Sequence, residues 1–430
     1  MVTPGPAHRA RTPGRFYYGW YIVAVGFIAN VGSSFALAST LSIFLKPMTL
    51  DLGVSRGVFS MLRSGEGLIA AFMAPMVGSL VDRHGSRWLL TAGAMVAAVG
   101  YLLLSQVEVF WQFVAVRWTL VTVGDGLIGY MVVNVMIARW FVVKRGRAMA
   151  FASMGIGFAK VVMPFLVAPL LVWLGWRHTW AVFALFTVAL VVAPALIYVR
   201  RSPEDMGLHP DGLEPGATPE GKTRRPGAQA ASETRTWSRS AGMRTQAFWL
   251  IVAVFGVSSV GVTGLNLHVF PYITDLGYPD PVAAGVMAVI ASMQLSSPLA
   301  WGLIADRMDV RWTTLAKFLI QASGLVLAIT SDSLLLVYVG FFFYGVGLGG
   351  NMVLPDLMWA RFFGRMSMGR IRGLGLFLIH GFAAIGPPFF GFLHDWQGSY
   401  TVSFAIFAVT LVISGFLSLF IIAPVRTDTA

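Results

Sequence analysis

Windows of roughly 20 predominantly apolar residues, the length that crosses about 30 Å of hydrocarbon as a helix, fall near residues 20–45, 58–80, 88–106, 110–138, 148–174 and 178–199. Six more fall near 247–270, 281–304, 313–330, 334–357, 373–393 and 400–423. Between the two sets lies the one long polar stretch, 200–245, rich in Gly, Pro, Thr, Ser and charge. The pattern predicts an all-α integral membrane protein with twelve transmembrane helices in two six-helix, pseudo-symmetric bundles. The bundles span residues 1–199 and 246–430, joined by a flexible cytoplasmic linker over 200–245.

Composition supports lipid as the solvent: 57% of residues are hydrophobic, 12% are charged, and the mean hydropathy is +0.73. The net charge of +12 suggests nucleic acid only if it forms a basic soluble face, and here the cations sit in short loops. Most of the 31 Lys and Arg fall in alternate loops: the N-terminal tail, the turns after windows 2, 4, 8 (Arg307, Arg311 and Lys317) and 10, and the central linker. The positive-inside rule therefore places both termini in the cytoplasm. Residues 1–15 lack the apolar core and cleavage site of a signal peptide. There is no cysteine, and the seven His lack metal-ligand spacing, so no metal or other cofactor is expected. A nucleophile-base set and a nucleotide loop are missing as well, which argues against an enzyme.

An internal repeat supports the two halves. Gly78-Ser-Leu-Val-Asp82-Arg83-His-Gly85-Ser-Arg87 after window 2 recurs as Gly302-Leu-Ile-Ala-Asp306-Arg307-Met-Asp-Val-Arg311 after window 8. Each segment ends a helix near Gly and places Asp-Arg at the cytoplasmic boundary. There the Asp can take backbone N–H groups at a helix start or pair with an arginine such as Arg145, holding an inner gate shut.

This repeat resembles the loop signature of the major facilitator superfamily, and the likeness covers nearly the whole chain. More narrowly, Tyr18-Gly19-Trp20, Phe44-Leu-Lys-Pro-Met48 with Ser55-Arg56, and Arg139-Trp-Phe141 with Arg145-Gly-Arg147 resemble the bacterial monocarboxylate and oxalate/formate branch. So do His268-Val-Phe-Pro271-Tyr-Ile-Thr-Asp275-Leu-Gly277 and Gly386-Pro387 followed by Gly391, Asp395 and Gly398-Ser-Tyr400. The resemblance implies alternating access, by proton symport or anion exchange. It also implies two carboxylate-clamping cations in the C-terminal half, but their positions hold His380 and Pro298, with Gln294 one turn before the latter. A dianion such as oxalate is thereby disfavoured.

Ionisable residues inside the membrane cost at least about 2.5–3.5 kcal/mol each and normally face a cavity or a partner. Asp125, in Gly124-Asp-Gly126, and Lys160 lie near the middle of windows 4 and 5. They are expected to meet, with Lys160 attracting an anionic substrate and Asp125 holding it when empty or taking a proton; a static buried pair is the alternative. Arg63 and Glu66, spaced i,i+3, and Arg117 at similar depth suggest an external ion network with a structural or gating role, substrate steering being the alternative. His268 and His380 are candidates for proton coupling, and His380 also for binding. Asp356 near the end of window 10 is expected to form a gate pair with Arg361 or Arg365. Asn30, Tyr130, Tyr344, Asn351 and Gln294 could orient a substrate by hydrogen bonds.

The function expected is secondary transport of a small, anionic, monocarboxylate-like solute by a monomer in a bacterial inner membrane, with no nucleic-acid partner. An exporter of a hydrophobic or cationic compound is the alternative, and a non-transporting membrane sensor a weaker one.

Overall fold

The computed structural model describes residues 17–141, 144–212, 239–363 and 368–422, with a few helix positions described by backbone alone. The described chain is almost entirely helical. Ten of its helices are long and apolar enough to cross a membrane. One of those ten, Arg147–Tyr198, takes in most of the helix Arg145–Thr187, which bends at Gly175 (φ 71°, ψ 167°), a conformation that only glycine adopts without strain. The 29-residue helix Arg56–His84 stands outside the ten. A split at Gly175 and this further helix accommodate the twelve expected crossings.

The first crossing is α1 (Gly19–Gly32) and α2 (Ala38–Asp51), separated by a 3-10 turn and an extended Leu37. The second is α3 (Arg56–His84) and the third α4 (Ser86–Leu104). The fourth is segmented into α5 (Phe110–Val116), a π-helical turn at Arg117–Val121, α6 (Thr122–Ile128) and α7 (Tyr130–Trp140). The fifth and sixth are α8 (Arg145–Thr187) and, beyond a second π turn, α9 (Ala193–Tyr198). In the second half, α10 (Gln246–Asp275), α11 (Asp280–Arg307) and α12 (Val310–Thr330) are continuous. The tenth crossing breaks between α13 (Leu334–Gly349) and α14 (Leu354–Phe363), and the eleventh between α15 (Met368–Ala383) and α16 (Gly386–Gln397). The last crossing is α17 (Thr401–Leu419).

Lipid supplies no hydrophobic drive between helices, so their association rests on close packing and small residues. Gly124 of α6 lies against Ala97 of α4, where an added Cβ would sit 2.6 Å from the Ala97 nitrogen. Within the first half, Trp180 stacks on Phe44 (centroids 4.4 Å apart) and on Tyr101 (5.7 Å). In the second half Tyr272, Phe390, Phe404 and Phe407 form a comparable aromatic cluster.

Contacts between the halves are concentrated at one end. There α2 packs on α10 and α16 packs on α3, while α8 and α11 run beside each other. Toward the other end Phe72 and Met76 of α3 and Leu299 and Leu303 of α11 are exposed.

Residues 200–212, expected to begin a flexible linker, are instead held against the first half. The Tyr17 hydroxyl donates to the His209 carbonyl (3.1 Å), and Asp211 accepts the Lys144 amide at the start of α8 (2.9 Å).

Candidate functional site

Between the halves lies a cavity of about 280 Å³. The break that separates α1 from α2 brings Leu37 and Ser39 to its wall, an arrangement that transporters use to expose polar groups at mid-membrane. Its polar lining comprises Arg63 from α3, Lys160 from α8, Thr263 and Asn266 from α10, Gln294 from α11 and His380 from α15. No Asp or Glu is present among the described lining residues.

Lys160 Nζ donates to Gln294 Oε1 at 3.2 Å, joining the two halves across the cavity with a neutral amide as the cation's partner. Gly157, one turn before it, approaches Leu295 closely. The expected pairing with Asp125 does not form. Gly124 of α6 is docked on α4, and the Asp125 carboxylate turns to Tyr101 of α4, whose hydroxyl donates to it at 3.4 Å. Lys160, Gln294 and His380 thus share the cavity and Asp125 does not line it.

Arg63, Glu66 and Arg117 do form a network, but inside the first half and at the cavity wall rather than across a gate. Glu66 is buried and carries both arginines: Oε2 accepts from Arg63 Nη1 (2.5 Å), and Oε1 accepts from Arg117 Nε (2.6 Å). Arg117 is fully buried and also lies over the Trp180 ring, 5.6 Å from its centroid. Only Arg63 reaches the cavity.

His268 is outside the cavity and belongs to the seal between the halves. It is fully buried, with Nε2 3.0 Å from both the Pro387 carbonyl and the Ser60 hydroxyl, and Nδ1 2.9 Å from the Tyr400 hydroxyl. The Pro387 carbonyl can only accept, so Nε2 carries the proton and Nδ1 accepts from Tyr400. Every partner is neutral, which gives no support here to the proton-coupling role expected of His268.

The rest of the seal is ionic. Asp275, at the end of α10, pairs with Lys46 of the first half (2.8 Å) and with Arg56, whose guanidinium also donates to Tyr400 (3.0 Å). Asp395 accepts the backbone amides of Arg56 (3.1 Å) and Gly57 (2.8 Å), a carboxylate from one half placed on a helix N-terminus of the other. Gly391 makes this approach possible, since a Cβ there would meet the Arg56 carbonyl at 2.7 Å. Lys46, Arg56, Asp275, Gly391, Asp395 and Tyr400 all belong to the sequence segments shared with the monocarboxylate branch. Their common placement had no periodicity signal to reveal it.

Several expected positions lie elsewhere. Asn30 is buried in the first half and donates to the Ala152 carbonyl (2.9 Å), binding α1 to α8. Tyr344 is buried within the second half between Phe341 and Phe407. Asn351, at the break in the tenth crossing, accepts from Lys317 at 2.6 Å. Lys317 is not part of the turn after the eighth crossing: it lies two turns inside α12, fully buried, with its ammonium 3.7 Å from the Phe318 centroid. Asp356 pairs with Arg372 through two hydrogen bonds (2.6 and 3.0 Å) rather than with Arg361, which caps the Ala305 carbonyl at 2.6 Å. Arg87 ties α4 to α9 through the Leu196 carbonyl (2.7 Å). Arg83, Asp306 and Arg307 are exposed at helix ends. The side chains of Asp82, Tyr130, Arg145 and Arg365 lie outside the described residues.

The sequence profile of the Major Facilitator Superfamily matches residues 25–300. The chain belongs to the major facilitator superfamily. Monocarboxylate transporter 13 of Bos taurus is 24% identical to it over 421 residues, covering 93% of this chain and 88% of that one. Monocarboxylate transporter 12-B of Danio rerio is 23% identical over 422 residues, covering 95% and 88%. The structure of a D-xylose-proton symporter superposes with a TM-score of 0.69 at 14% identity, covering 94% of this superfamily member and 98% of the symporter. Fold and relatives are those of transporters, so this superfamily member is a multi-pass membrane transporter of a small molecule and not an enzyme.

Proposed function

We propose that the transported solute is a small organic anion, monocarboxylate-like, carried by alternating access. The observation that carries this reading is the charge of the cavity: Lys160 and Arg63 line it, and no carboxylate does among the described residues. An ammonium in a low-dielectric cavity whose hydrogen-bond partner is a neutral amide favours a carboxylate ligand strongly, and Arg63 adds a second donor. The same charge disfavours a cationic compound. The names of the relatives above are consistent with a short-chain acid. Loss of the second-half cations is offset by Lys160 and Gln294, which meet across the halves.

The positive-inside distribution supports a topology with both ends cytoplasmic, and a monomer in a bacterial inner membrane is part of the same reading. The sealed end is then external and the conformation is inward-facing. Transport is coupled to protons or to a counter-anion, with His380, which lines the cavity, and Asp125, which does not, as the candidate coupling groups. The test is uptake of labelled monocarboxylates into proteoliposomes under a pH gradient, with the Lys160→Ala variant alongside. Gradient-dependent uptake abolished by Lys160→Ala in a folded protein is expected. Equal uptake by variant and wild type refutes the role of Lys160.

A further inference from the structure

Arg63 stands at a boundary. Its side chain is 26% exposed and lines the cavity, while its carboxylate partner Glu66 is only 4% exposed and is shared with the fully buried Arg117. We propose that Glu66 is an internal stand-in for the substrate carboxylate: it neutralises Arg63 in the empty carrier, yields it when the anion binds, and takes it back to release the anion. This inference rests on the anionic reading of the cavity and adds to it a second specificity-determining cation with its own built-in competitor.

The geometry separates the two arginines by function. Glu66 uses a different oxygen for each, Oε2 for Arg63 and Oε1 for Arg117. Arg63 can therefore rotate toward the cavity without leaving Glu66 as an uncompensated buried charge, because Arg117 remains on the other oxygen. Arg117 is fixed from beneath by the Trp180 ring and sits in a π-helical turn, where Thr122 donates to its carbonyl at 2.9 Å. Such turns occur frequently at functional sites. A substrate carboxylate entering between Lys160 and Arg63 thus replaces one carboxylate by another on Arg63, an exchange with little net electrostatic change. Glu66 and Arg63 lie one turn apart on α3, so the return of Arg63 needs only side-chain rotation.

The experiment uses the purified full-length chain. Binding of acetate, pyruvate and benzoate at constant ionic strength is measured by thermal shift, and uptake of whichever acids bind is measured in proteoliposomes. In Glu66→Gln the competitor is gone, so affinity is expected to tighten by about 10-fold, the worth of one charge-assisted hydrogen bond, while the maximal rate falls because release slows. Arg63→Ala is expected to weaken binding by a similar factor, and Arg63→Lys to recover part of it. Glu66→Asp, which keeps a carboxylate on Arg117 but draws it away from Arg63, is expected to give an intermediate tightening and serves if Glu66→Gln does not fold. Unchanged or weaker binding in both Glu66 variants, with the wild type binding normally, overturns the stand-in role and leaves the anionic reading intact. No acid binding to the wild type overturns both.

Discussion

Replacing Asp275 by Asn tests whether the ionic seal sets the balance between the two faces of the carrier. Asp275 receives Lys46 at 2.8 Å and the Arg56 guanidinium, with Lys46 31% exposed, Arg56 16% and Asp275 29%. Partly exposed pairs are weakened by solvent, so each is worth somewhat under 1 kcal/mol and the two together about 1–2 kcal/mol. Both exist only when the halves are in contact at this end. Their loss is therefore expected to shift the closed-to-open ratio by about 5–30-fold. The chain contains no cysteine, so a single introduced thiol reports without background. Ser42 is fully buried in the seal, where its hydroxyl accepts the Phe270 amide (3.3 Å). Ser42→Cys is thus near-isosteric, and its maleimide reaction requires the seal to open. The labelling rate in Asp275→Asn/Ser42→Cys is expected to exceed that of Ser42→Cys alone by the factor above, and added salt is expected to narrow the gap by speeding the parent. Equal rates at low salt would show that packing, not charge, holds this end shut.

Three further outcomes are expected. Gly391→Val places carbon against the Arg56 carbonyl and Gly57, so it is expected to prevent closure at this end, raising Ser42→Cys labelling and eliminating uptake without loss of folded protein. Lys317→Met keeps the stem that packs on Gly350 and loses the bond to a partly exposed Asn351 and the ammonium's contact with the Phe318 ring, so thermal unfolding is expected to change by under about 1.5 kcal/mol, whereas Lys317→Ala leaves a void and is expected to lose about 2–4 kcal/mol. Asp309, in the loop before α12, caps the Arg311 amide at 2.8 Å, and the Arg311 guanidinium holds its carboxyl below the usual carboxylate range. Its stabilisation is present above the unfolded carboxylate value of about 3.9 and is lost as pH falls through the lower folded value. Asp309→Ala is therefore expected to lose about 0.5–1 kcal/mol at neutral pH, and to converge with wild type on acidification.

The helical membrane fold and the place of Lys160 inside an apolar helix were legible because each rests on composition over about 20 residues or on one unmistakable charge. Rotational setting was not. Asp125 and Lys160 both fall near the middle of their apolar windows, yet Gly124 docks on α4 and Asp125 turns to Tyr101, and no periodicity in a uniformly apolar helix reports which face is docked. Arg63 was visible as an intramembrane cation, but whether it faced the cavity or the bundle depended on the tilt of α3. His268 and His380 look equivalent along the chain; one is locked in the seal and the other lines the cavity. Lys317 reads with the turn cations although it falls inside the apolar window 313–330, and the helix that begins at Val310 buries it.

The charged groups differ in how readily their bonds can break, and this ranks their roles. Separating Glu66 from Arg117, both almost fully buried, would leave uncompensated charge in a low-dielectric interior at a cost of several kcal/mol, too much for a step repeated every cycle. Asp275 with Lys46 and Arg56 lies near the surface, where water replaces each lost bond and the separation costs about 1–2 kcal/mol. A carrier that alternates needs contacts of the second kind between its halves and can use the first kind only within a half, which is where the structure puts each. Arg63 is the intermediate case: buried enough to require a counter-ion, yet open enough to exchange it. Of the two arginines on Glu66 it is the one whose partner can change without stranding a buried charge, so a response to substrate should be sought there rather than at Arg117.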